Sequence, residues 1–440
     1  MGSFLPKYLF YYKQCILFYI ILFTSALFAE ENIRTRCSEE KQLTSLSKCL
    51  VQELPEFKME ELKLGEMRGR KKIASYLFPQ NPLFNQYLAQ RQGNSTSLIG
   101  NAPTSAQNFQ VMVSQEIYTN GKREIAMQIA DEEFQSQVLR LETTRRLYEF
   151  EVLKKLYRFR TIHEEERNLF ETLSLTQDIK KIAKARIKEG LSPGIDEALT
   201  EAEEIRVYRL WAQSKRLLES TKSELELLLK LDLTRDWIHQ KDWILQNETF
   251  ANKSELVQMA IMLRPELKLT ENEIQIANLE WNRTKKEKIP NVSLGAFAQN
   301  DGFNERVIGG LVSFPILVWR DFEGELLVTK TKVQVSKEKY QLTERSIKQE
   351  VLQAVANYSI LNEEIKLYES EKMIRAENDI KNLQEAVRFG RVRLLEAIQQ
   401  QRILLQTKLL YLNAKLEWEL ATIELTRVLG LPIEQLEAKK

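Results

Sequence analysis

The sequence predicts a mainly α-helical protein with a β-barrel portion, built from two tandem structural repeats. Each repeat contains a β-hairpin and a long coiled-coil helical hairpin. One observation is that Gly and Pro, which interrupt helices, number only 15 and 10 in 440 residues. Another is that both are absent from three long runs, 122–189, 195–264 and 325–389. Finally, segments that alternate apolar and polar residues occur once in each half, which is the pattern of half-buried strands.

The N-terminal segment 1–29 is typical of a secretory signal peptide. Lys7 and Lys13 supply positive charge, an apolar run covers 15–28, and a cleavage site after Ala29 fits the pattern. An uncleaved anchor is the alternative. No later apolar stretch is long enough to cross a bilayer as a helix.

Composition and motifs exclude several function classes. Without Lys7 and Lys13 the basic residues equal the 62 acidic ones, so no charge excess favours nucleic acid. His163 and His239 are the only histidines, and no Cys/His spacing suits zinc. No phosphate loop or nucleophile motif occurs, and HEEER at 163–167 is interpreted as a solvated helix face. We therefore expect no enzyme, no cofactor and no metal site.

Two cysteines belong to the predicted mature chain. Cys37 and Cys49 lie in a protein expected to reach a compartment that permits disulfides. The sequence leaves open whether they pair.

The two halves of the chain follow the same order of elements. Pro55 corresponds to Pro265, and Gly190 corresponds to Gly390. The predicted organisation is a signal peptide over 1–29, a first repeat over 38–235, a linker over 236–254 and a second repeat over 255–435.

Apolar residues in the long runs recur in the steps of four and three that are typical of coiled-coil helices. The second repeat has the unbroken series Ile347, Val351, Ala354, Tyr358, Leu361, Ile365 and Tyr368. The first repeat has Phe134, Val138, Leu141, Tyr148, Val152, Phe159, Ile162, Leu169 and Leu173, interrupted by Arg145, Lys155 and Glu166. At about 1.5 Å per residue the longest helices would extend roughly 100 Å, which predicts an elongated molecule.

A tip turn is predicted at about 188–196 and another at about 388–396. Gly190 and Gly390 give the backbone the freedom to end one helix and reverse into the next. Each turn is then the far end of a helical hairpin. The alternative is an ordinary solvated loop.

Two β-hairpins are predicted, at about 82–118 and about 291–316. Their second strands each place apolar side chains on one face: Phe109, Val111, Val113 and Ile117 in one, and Ile308, Val312, Phe314 and Ile316 in the other. Strands of about 9–11 residues suit a tilted outer-membrane barrel. Four aromatic residues lie near predicted strand ends, where membrane girdles occur: Tyr87, Tyr118, Phe303 and Trp319.

Four strands cannot close a barrel, because about eight is the small end of the known range. An open sheet edge in lipid would leave backbone groups unpaired. Membrane strands would therefore require several chains to share one barrel. A small antiparallel sheet on a soluble protein is the alternative.

The duplicated plan and its motifs resemble the outer membrane efflux protein family, the TolC-like outer membrane factors, over about residues 38–435. The segment VSQEIYTNGKR at 113–123 is similar to one in the CzcC-like heavy-metal branch. Its counterpart SFPILVWRDFEGE at 313–325 is more divergent, with Trp319-Arg320-Asp321 where Gly-Gly-Arg is usual.

The resemblance implies an assembly in the cell outer membrane with a large periplasmic portion. Three identical chains would form a twelve-stranded barrel in outer-membrane lipid, continued by an α-helical tunnel. The implied partners are a periplasmic adaptor (membrane fusion) protein and an inner-membrane pump, either of the resistance-nodulation-division type or an ABC transporter.

The resemblance also implies adaptor contacts at the tips, through Arg186, Gly190, Leu191 and Ser192. In the second repeat Arg388 and Gly390 are retained, while Val392 and Arg393 stand where Leu and Ser are expected. Docking at that turn is therefore expected to differ.

An acidic residue six places after each turn glycine resembles the family's aperture constriction. These residues are Asp196 and Glu396, and Glu396 is the better candidate because the second hairpin usually lines the aperture. Three symmetry-related carboxylates would favour cations, with Arg391 and Arg393 near enough in sequence to compensate their charge. The alternative role for Glu396 is a solvated acid at a helix start.

The function expected from these observations is a passive outer-membrane exit duct of a tripartite efflux system, for metal cations or drugs. Two alternatives remain open. One is the exit channel of a type I secretion system, and the other is a periplasmic coiled-coil scaffold.

Overall fold

A computed structural model describes residue 37 and residues 42–92, 105–229, 252–300, 306–368, 385–387 and 389–436. Its helices are Leu43–Val51 (α1), Pro55–Ala74 (α2), Lys122–Lys188 (α3), Ile195–Leu229 (α4), Lys253–Leu263 (α5), Pro265–Glu287 (α6), Glu323–Tyr368 (α7) and Leu394–Val428 (α8), with a 3-10 turn at Ile433–Leu436. Its strands are Leu83–Gln92 (β1), Ser105–Ile117 (β2), Val292–Asn300 (β3) and Arg306–Ser313 (β4).

The described elements have the mainly helical character and the small antiparallel sheet that the sequence predicts. The predicted signal peptide, nearly all of the predicted linker, Phe303 and Arg388 lie outside the described residues. The run 195–264 is not one helix, since α4 ends at Leu229 and α5 begins anew after Asn252, whose side chain caps it.

Contacts divide the chain into two compact units. The first comprises the described parts of Met1–Lys58, Thr144–Arg264 and Ile347–Lys440, and it contains both tip turns. The second comprises the described parts of Met59–Thr143 and Pro265–Ser346, and it contains the sheet.

The sheet of the second unit is antiparallel throughout, in the order β1-β2-β3-β4. Its register joins Phe84 to Val113, Val113 to Ala296, and Ala296 to Gly310. One face therefore carries apolar side chains from all four strands, which we call the apolar face: Phe84, Leu88, Phe109, Val111, Val113, Leu294, Ala296, Ala298, Ile308 and Val312. The opposite face carries Asn85, Gln110, Ser114 and Gln299. The alternation predicted for the second strand of each hairpin is confirmed within β2 and β4. It is wrong at Phe314 and Ile316, because β4 ends at Ser313, just before Pro315, which has no amide hydrogen to donate.

The position predicted for Tyr87 is wrong. Tyr87 pairs with Gln110 in the middle of β1 and lies on the face opposite the apolar face, so it does not mark a strand end. The prediction fails because the alternation of apolar and polar residues shows which residues share a face and does not show where a strand begins or ends.

The core of the first unit brings both ends of the described chain together. Leu46 and Leu50 of α1 pack in one cluster with Leu156 of α3 and with Ile433 and Leu436 of the 3-10 turn. A disulfide joins Cys37 to Cys49, which settles the pairing that the sequence left open.

The heptad prediction is confirmed in the second repeat, where Ile347, Val351, Tyr358, Leu361 and Ile365 are all buried. It is wrong at Val138 in the first repeat, whose side chain is 37% exposed. The interruption at Glu166 is not solvated, because Glu166 is buried and accepts a hydrogen bond of 2.8 Å from Trp211 Nε1. His163 is also buried, so the solvated-face interpretation of HEEER is wrong at these two residues.

Candidate functional site at the two helical turns

The first turn ends α3 with a left-handed glycine. Gly190 has φ +71°, a region that residues with a Cβ atom seldom adopt. The Leu191 amide donates to the Arg186 carbonyl at 2.8 Å, and the Gly190 amide donates to the Ile187 carbonyl at 3.0 Å. This pair of bonds is the Schellman motif, which satisfies carbonyls at the end of the helix.

The second turn repeats this geometry 200 positions later. Gly390 has φ +69°, the Arg391 amide donates to the Ala386 carbonyl at 2.8 Å, and the Gly390 amide donates to the Val387 carbonyl at 3.1 Å. Glycine occupies the same place in both turns because only glycine reaches this backbone conformation without a Cβ clash.

This equivalence corrects the sequence comparison of the two tips. Ala386, and not Arg388, corresponds to Arg186, since the Ala386 and Arg186 carbonyls accept equivalent hydrogen bonds in the two turns. Arg391 takes the place of Leu191 and Val392 that of Ser192, one position earlier than the sequence comparison assigned. Arg388 was matched to Arg186 because each is an arginine shortly before a turn glycine. However, Arg186 lies four positions before Gly190, whereas Arg388 lies two positions before Gly390.

The two turns contact each other through Arg186. Its Nη1 donates to the Val387 carbonyl at 3.0 Å. A Cβ atom placed on Gly390 would lie 3.2 Å from the same nitrogen, so the guanidinium occupies the space that a side chain there would need. The resemblance implies that Arg186 contacts a partner protein, and nothing local in the sequence indicates its bond to Val387.

Apolar residues complete the contact between the turns. Val387 and Ala397 are buried, with Ile182, Val392 and Leu394 packed against them. A cleft of about 270 Å³ lies between the turns, lined partly by Arg186, Ser192 and Asp196. At the outer surface four apolar side chains are exposed, Leu191 at 63% together with Ile195, Phe389 and Leu395.

The two predicted aperture acids lie in the first turns of α4 and α8. Asp196 is half-buried. Glu396 has 44% of its side chain exposed and accepts hydrogen bonds from Nε and Nη2 of Arg393, the former at 3.0 Å. Arg393 thus compensates Glu396, as the sequence suggested, whereas the Arg391 guanidinium lies 5.5 Å from the centre of the Phe389 ring.

Polar contacts deeper in the first unit tie the hairpins together. Glu203 of α4 is fully buried and accepts from Arg402 Nε of α8 at 2.7 Å and from Arg206 Nη2 at 2.6 Å. Burial opposes the charge of Glu203, but the two guanidinium groups outweigh it and lower the pKa. Gln401 Nε2 donates to Thr176 Oγ1 of α3 at 2.8 Å. The sequence did not single out any of these residues.

Across the part of the chain that the structure describes, no three His, Cys, Asp or Glu side chains are grouped so as to hold a metal ion. Among the same residues, no helix combines the length and apolar character needed to span a bilayer.

Comparison with protein families gives a match to the model described as outer membrane efflux protein, over residues 57–227 and 256–431. No curated protein sequence matches significantly. Among solved structures, the chain is similar to the CmeC outer membrane channel of Campylobacter jejuni, with 14% identity, 90% of this chain and 87% of that chain covered, and a TM-score of 0.69.

Two further solved structures have the same fold. The outer membrane protein VceC of Vibrio cholerae has 15% identity, 89% of this chain and 97% of that chain covered, and a TM-score of 0.69. The open state of the MtrE outer membrane channel of Neisseria gonorrhoeae has 16% identity, 90% of each chain covered and a TM-score of 0.65.

Proposed function

The chain belongs to the outer membrane efflux protein family, and from that premise we propose that it is the exit duct of a tripartite efflux system. As a family member it is an outer-membrane protein of the transport class, and the family is not an enzyme class. The duct conducts substrate passively from a periplasm-spanning pump assembly to the exterior. Its substrates are metal cations or drugs.

The exposed apolar face of the sheet carries this proposal. Ile308 is 84% exposed, and Leu88, Phe84 and Val312 on the same face are also exposed. A soluble protein rarely exposes so many contiguous large apolar side chains, whereas lipid covers them without cost. β1 and β4 are edge strands in this sheet, and their open edges require partners inside a bilayer.

We infer that three copies supply those partners. Pairing β4 of one chain with β1 of the next, three times, closes a barrel of twelve strands and abolishes every edge. The long helices then continue the barrel as a tunnel in the periplasm. Each chain comprises the proposed repeats 38–235 and 255–435, joined by 236–254, after removal of segment 1–29.

The tips are the proposed docking end of the duct. Leu191 offers exposed apolar area and Ser192 a hydroxyl to a periplasmic adaptor. An inner-membrane pump, of the resistance-nodulation-division type or an ABC transporter, supplies the energy. Glu396, with Asp196 as the second acid, lines the aperture of the trimer.

The docking role is tested by replacing both Leu191 and Ser192 with Asp. Two new charges on an apolar contact remove adaptor binding, so resistance to exported metals and drugs is expected to fall to the level of a deletion strain. The matched control is Leu191→Met with Ser192→Thr, which keeps the chemistry of both positions. Trimer yield in outer-membrane extracts is expected to be the same for both variants, and normal export by the Asp variant would contradict the docking role.

A further inference from the structure

The face of the sheet opposite the apolar face, which we call the inner face, has three successive uncharged rows of side chains. The central row crosses all four strands and consists of Asn85, Met112, Phe297 and Gly309. The rows on either side of it begin on β1 at Leu83 and Tyr87. No residue in these three rows carries a charge.

The exposure of β3 shows which way the sheet curves. Leu294, Ala296 and Ala298 on the apolar face are exposed, whereas Phe297 and Gln299 on the inner face are half-buried. Side chains crowd one another on the concave side of a curved sheet and spread apart on the convex side. The inner face is therefore concave, as the inner wall of a barrel is.

An aromatic ring lies across two strands of the inner face. A Cβ atom placed on Gly309 of β4 would lie 2.6 Å from Cζ and 2.7 Å from Cε1 of Phe297 on β3. The Phe297 ring thus occupies the space above the Gly309 backbone, and a residue with a side chain there would displace it. Because Phe297 is only half-buried, its ring is held by the neighbouring strand and still accessible.

The groups around Phe297 are apolar or hydrogen-bonding and uncharged. Met112 pairs with Phe297 on the side of β2, and Leu311 lies in the next row on β4. Gln110 and Gln299 supply amide donors and acceptors in the row on the other side. A fixed ring, a thioether and a leucine beside amides suit a planar aromatic molecule that carries a few polar groups.

These rows do not have the chemistry that attracts cations, which is a ring of carboxylates. The acid on the inner face is Glu116, beyond Ser114 toward the end of β2. Its two carboxylate oxygens accept hydrogen bonds of 2.8 Å, one from Gln80 Nε2 and one from Asn291 Nδ2. The charge of Glu116 is therefore held by amides at the end of the strand and lies outside the three rows.

We propose that the three uncharged rows form a collar inside the barrel that binds planar aromatic molecules, with Phe297 as the main contact. The inference rests on the proposed function, since the inner face lines a lumen only when the chains close a barrel. A barrel of about eight strands is filled by its own side chains and one of about sixteen leaves a wide aqueous channel. Twelve strands lie between these limits, so the collar contacts a molecule that passes. Contacts of this kind are weak, which suits a duct because its substrate must also leave.

The experiment measures how long two organic cations block single channels of the full-length trimer in planar bilayers. The probes are proflavine, which is planar and aromatic, and tetraethylammonium, which has the same charge and no ring. Phe297→Leu removes the ring and keeps an apolar side chain, whereas Phe297→Tyr keeps the ring. The matched control is Phe84→Leu, the same substitution on the apolar face, where Phe84 is 61% exposed.

The expected result is that the proflavine block is about 2–10-fold shorter in Phe297→Leu channels than in wild type, the range for loss of one aromatic contact. It is expected to be unchanged in Phe297→Tyr and Phe84→Leu channels, and tetraethylammonium is expected to behave alike in all of them. If Phe297→Leu trimers do not assemble, Tyr87→Leu on the exposed edge strand takes their place, with a shorter proflavine block expected there as well.

An unchanged proflavine block in well-formed Phe297→Leu or Tyr87→Leu channels, or no block in wild type, overturns the collar and leaves the duct intact. An equal change for tetraethylammonium overturns the aromatic assignment, because the effect is then one of pore width. An equal change in Phe84→Leu channels overturns the assignment to the inner face. Wild-type protein that forms no channels overturns the proposed function itself.

Discussion

The ion pairs of Glu424 make the stability of the first unit depend on pH in the acidic range. Glu424 of α8 accepts from Lys154 Nζ of α3 at 2.5 Å and from Arg427 Nη2 at 2.6 Å. Burial opposes its charge, but the hydrogen bonds from Arg427 and Lys154 outweigh burial and lower the pKa of Glu424 from 4.5 to about 2. The Lys154 contact joins α3 and α8 across 270 positions of sequence.

We predict that Glu424→Gln removes an acid-dependent part of the stability. A depressed carboxyl pKa stabilises the fold above the unfolded pKa near 4.5, and this stabilisation is lost as the pH falls toward about 2. Because the side chain is 33% exposed, solvent screening reduces the effect to about 1–2 kcal/mol. Melting of the detergent-solubilised protein at several pH values measures it. A difference from wild type that stayed constant between pH 6 and pH 2 would contradict the assignment.

At the scale of elements, the two helical hairpins depend on the glycines in their turns. Gly190 and Gly390 share the left-handed conformation, but only Gly390 lies against another side chain, Arg186. Gly194 has neither feature, since its φ is not left-handed and no atom lies within 4 Å of a Cβ placed there. Substituting each of the three glycines therefore distinguishes the cost of a left-handed backbone from the cost of a steric contact.

We predict that alanine is tolerated at Gly194, costs about 1–2 kcal/mol at Gly190 and costs more at Gly390. At Gly190 the cost is the left-handed backbone alone. At Gly390 the new Cβ atom also displaces the Arg186 guanidinium from the Val387 carbonyl. Amide hydrogen exchange at each turn measures the cost, and about 5–30-fold faster exchange corresponds to the Gly190 value. Equal exchange in the Gly190→Ala and Gly194→Ala variants would show that the turn is not constrained as described.

At the scale of the whole chain, α1 near the start of the described sequence and the 3-10 turn near its end pack in the same hydrophobic core. In addition, Lys48 forms an ion pair with Glu434. The disulfide spans only 12 positions, from Cys37 to Cys49, and so fixes Cys37 to α1 within this core.

We predict that replacing both Cys37 and Cys49 with Ser lowers the free energy of unfolding by about 3 kcal/mol, the value typical of a loop of this size. Wild type treated with dithiothreitol is expected to melt at the same temperature as the double variant. The double variant itself serves as the control, because reductant has no bond to act on there. An identical melting temperature for oxidised wild type and the double variant would show that the disulfide does not stabilise the fold.

The aperture that we propose for Glu396 is tested with single-channel currents. Glu396→Ala removes a carboxylate and releases Arg393, so the cation preference of single channels in planar bilayers is expected to fall. Arg393→Ala is expected to raise it, because Glu396 then loses its compensating charge. Glu417→Ala, an exposed acid elsewhere on α8, is the control and is expected to change neither conductance nor selectivity. Shifts of the same sign in the Glu396→Ala and Arg393→Ala channels would contradict an aperture at this position.

Much of the fold followed from local patterns. A period of two defined which residues of β2 and β4 share a face, and the heptad steps from Ile347 to Ile365 identified a buried helix face. The sequence failed where a polar residue has a distant partner. Glu166 interrupts the heptad pattern and was expected to be solvated. It is buried, because Trp211 on the next helix donates a hydrogen bond to its carboxylate.

The sequence by itself determined the two turns, because only glycine at positions 190 and 390 relieves the steric cost of a left-handed residue at a helix end. Tertiary structure alone decided what those turns contact. Arg186 meets the Val387 carbonyl and Glu203 meets Arg402 across about 200 positions of sequence. Such contacts depend on the relative rotation and register of packed helices, which no local spacing encodes.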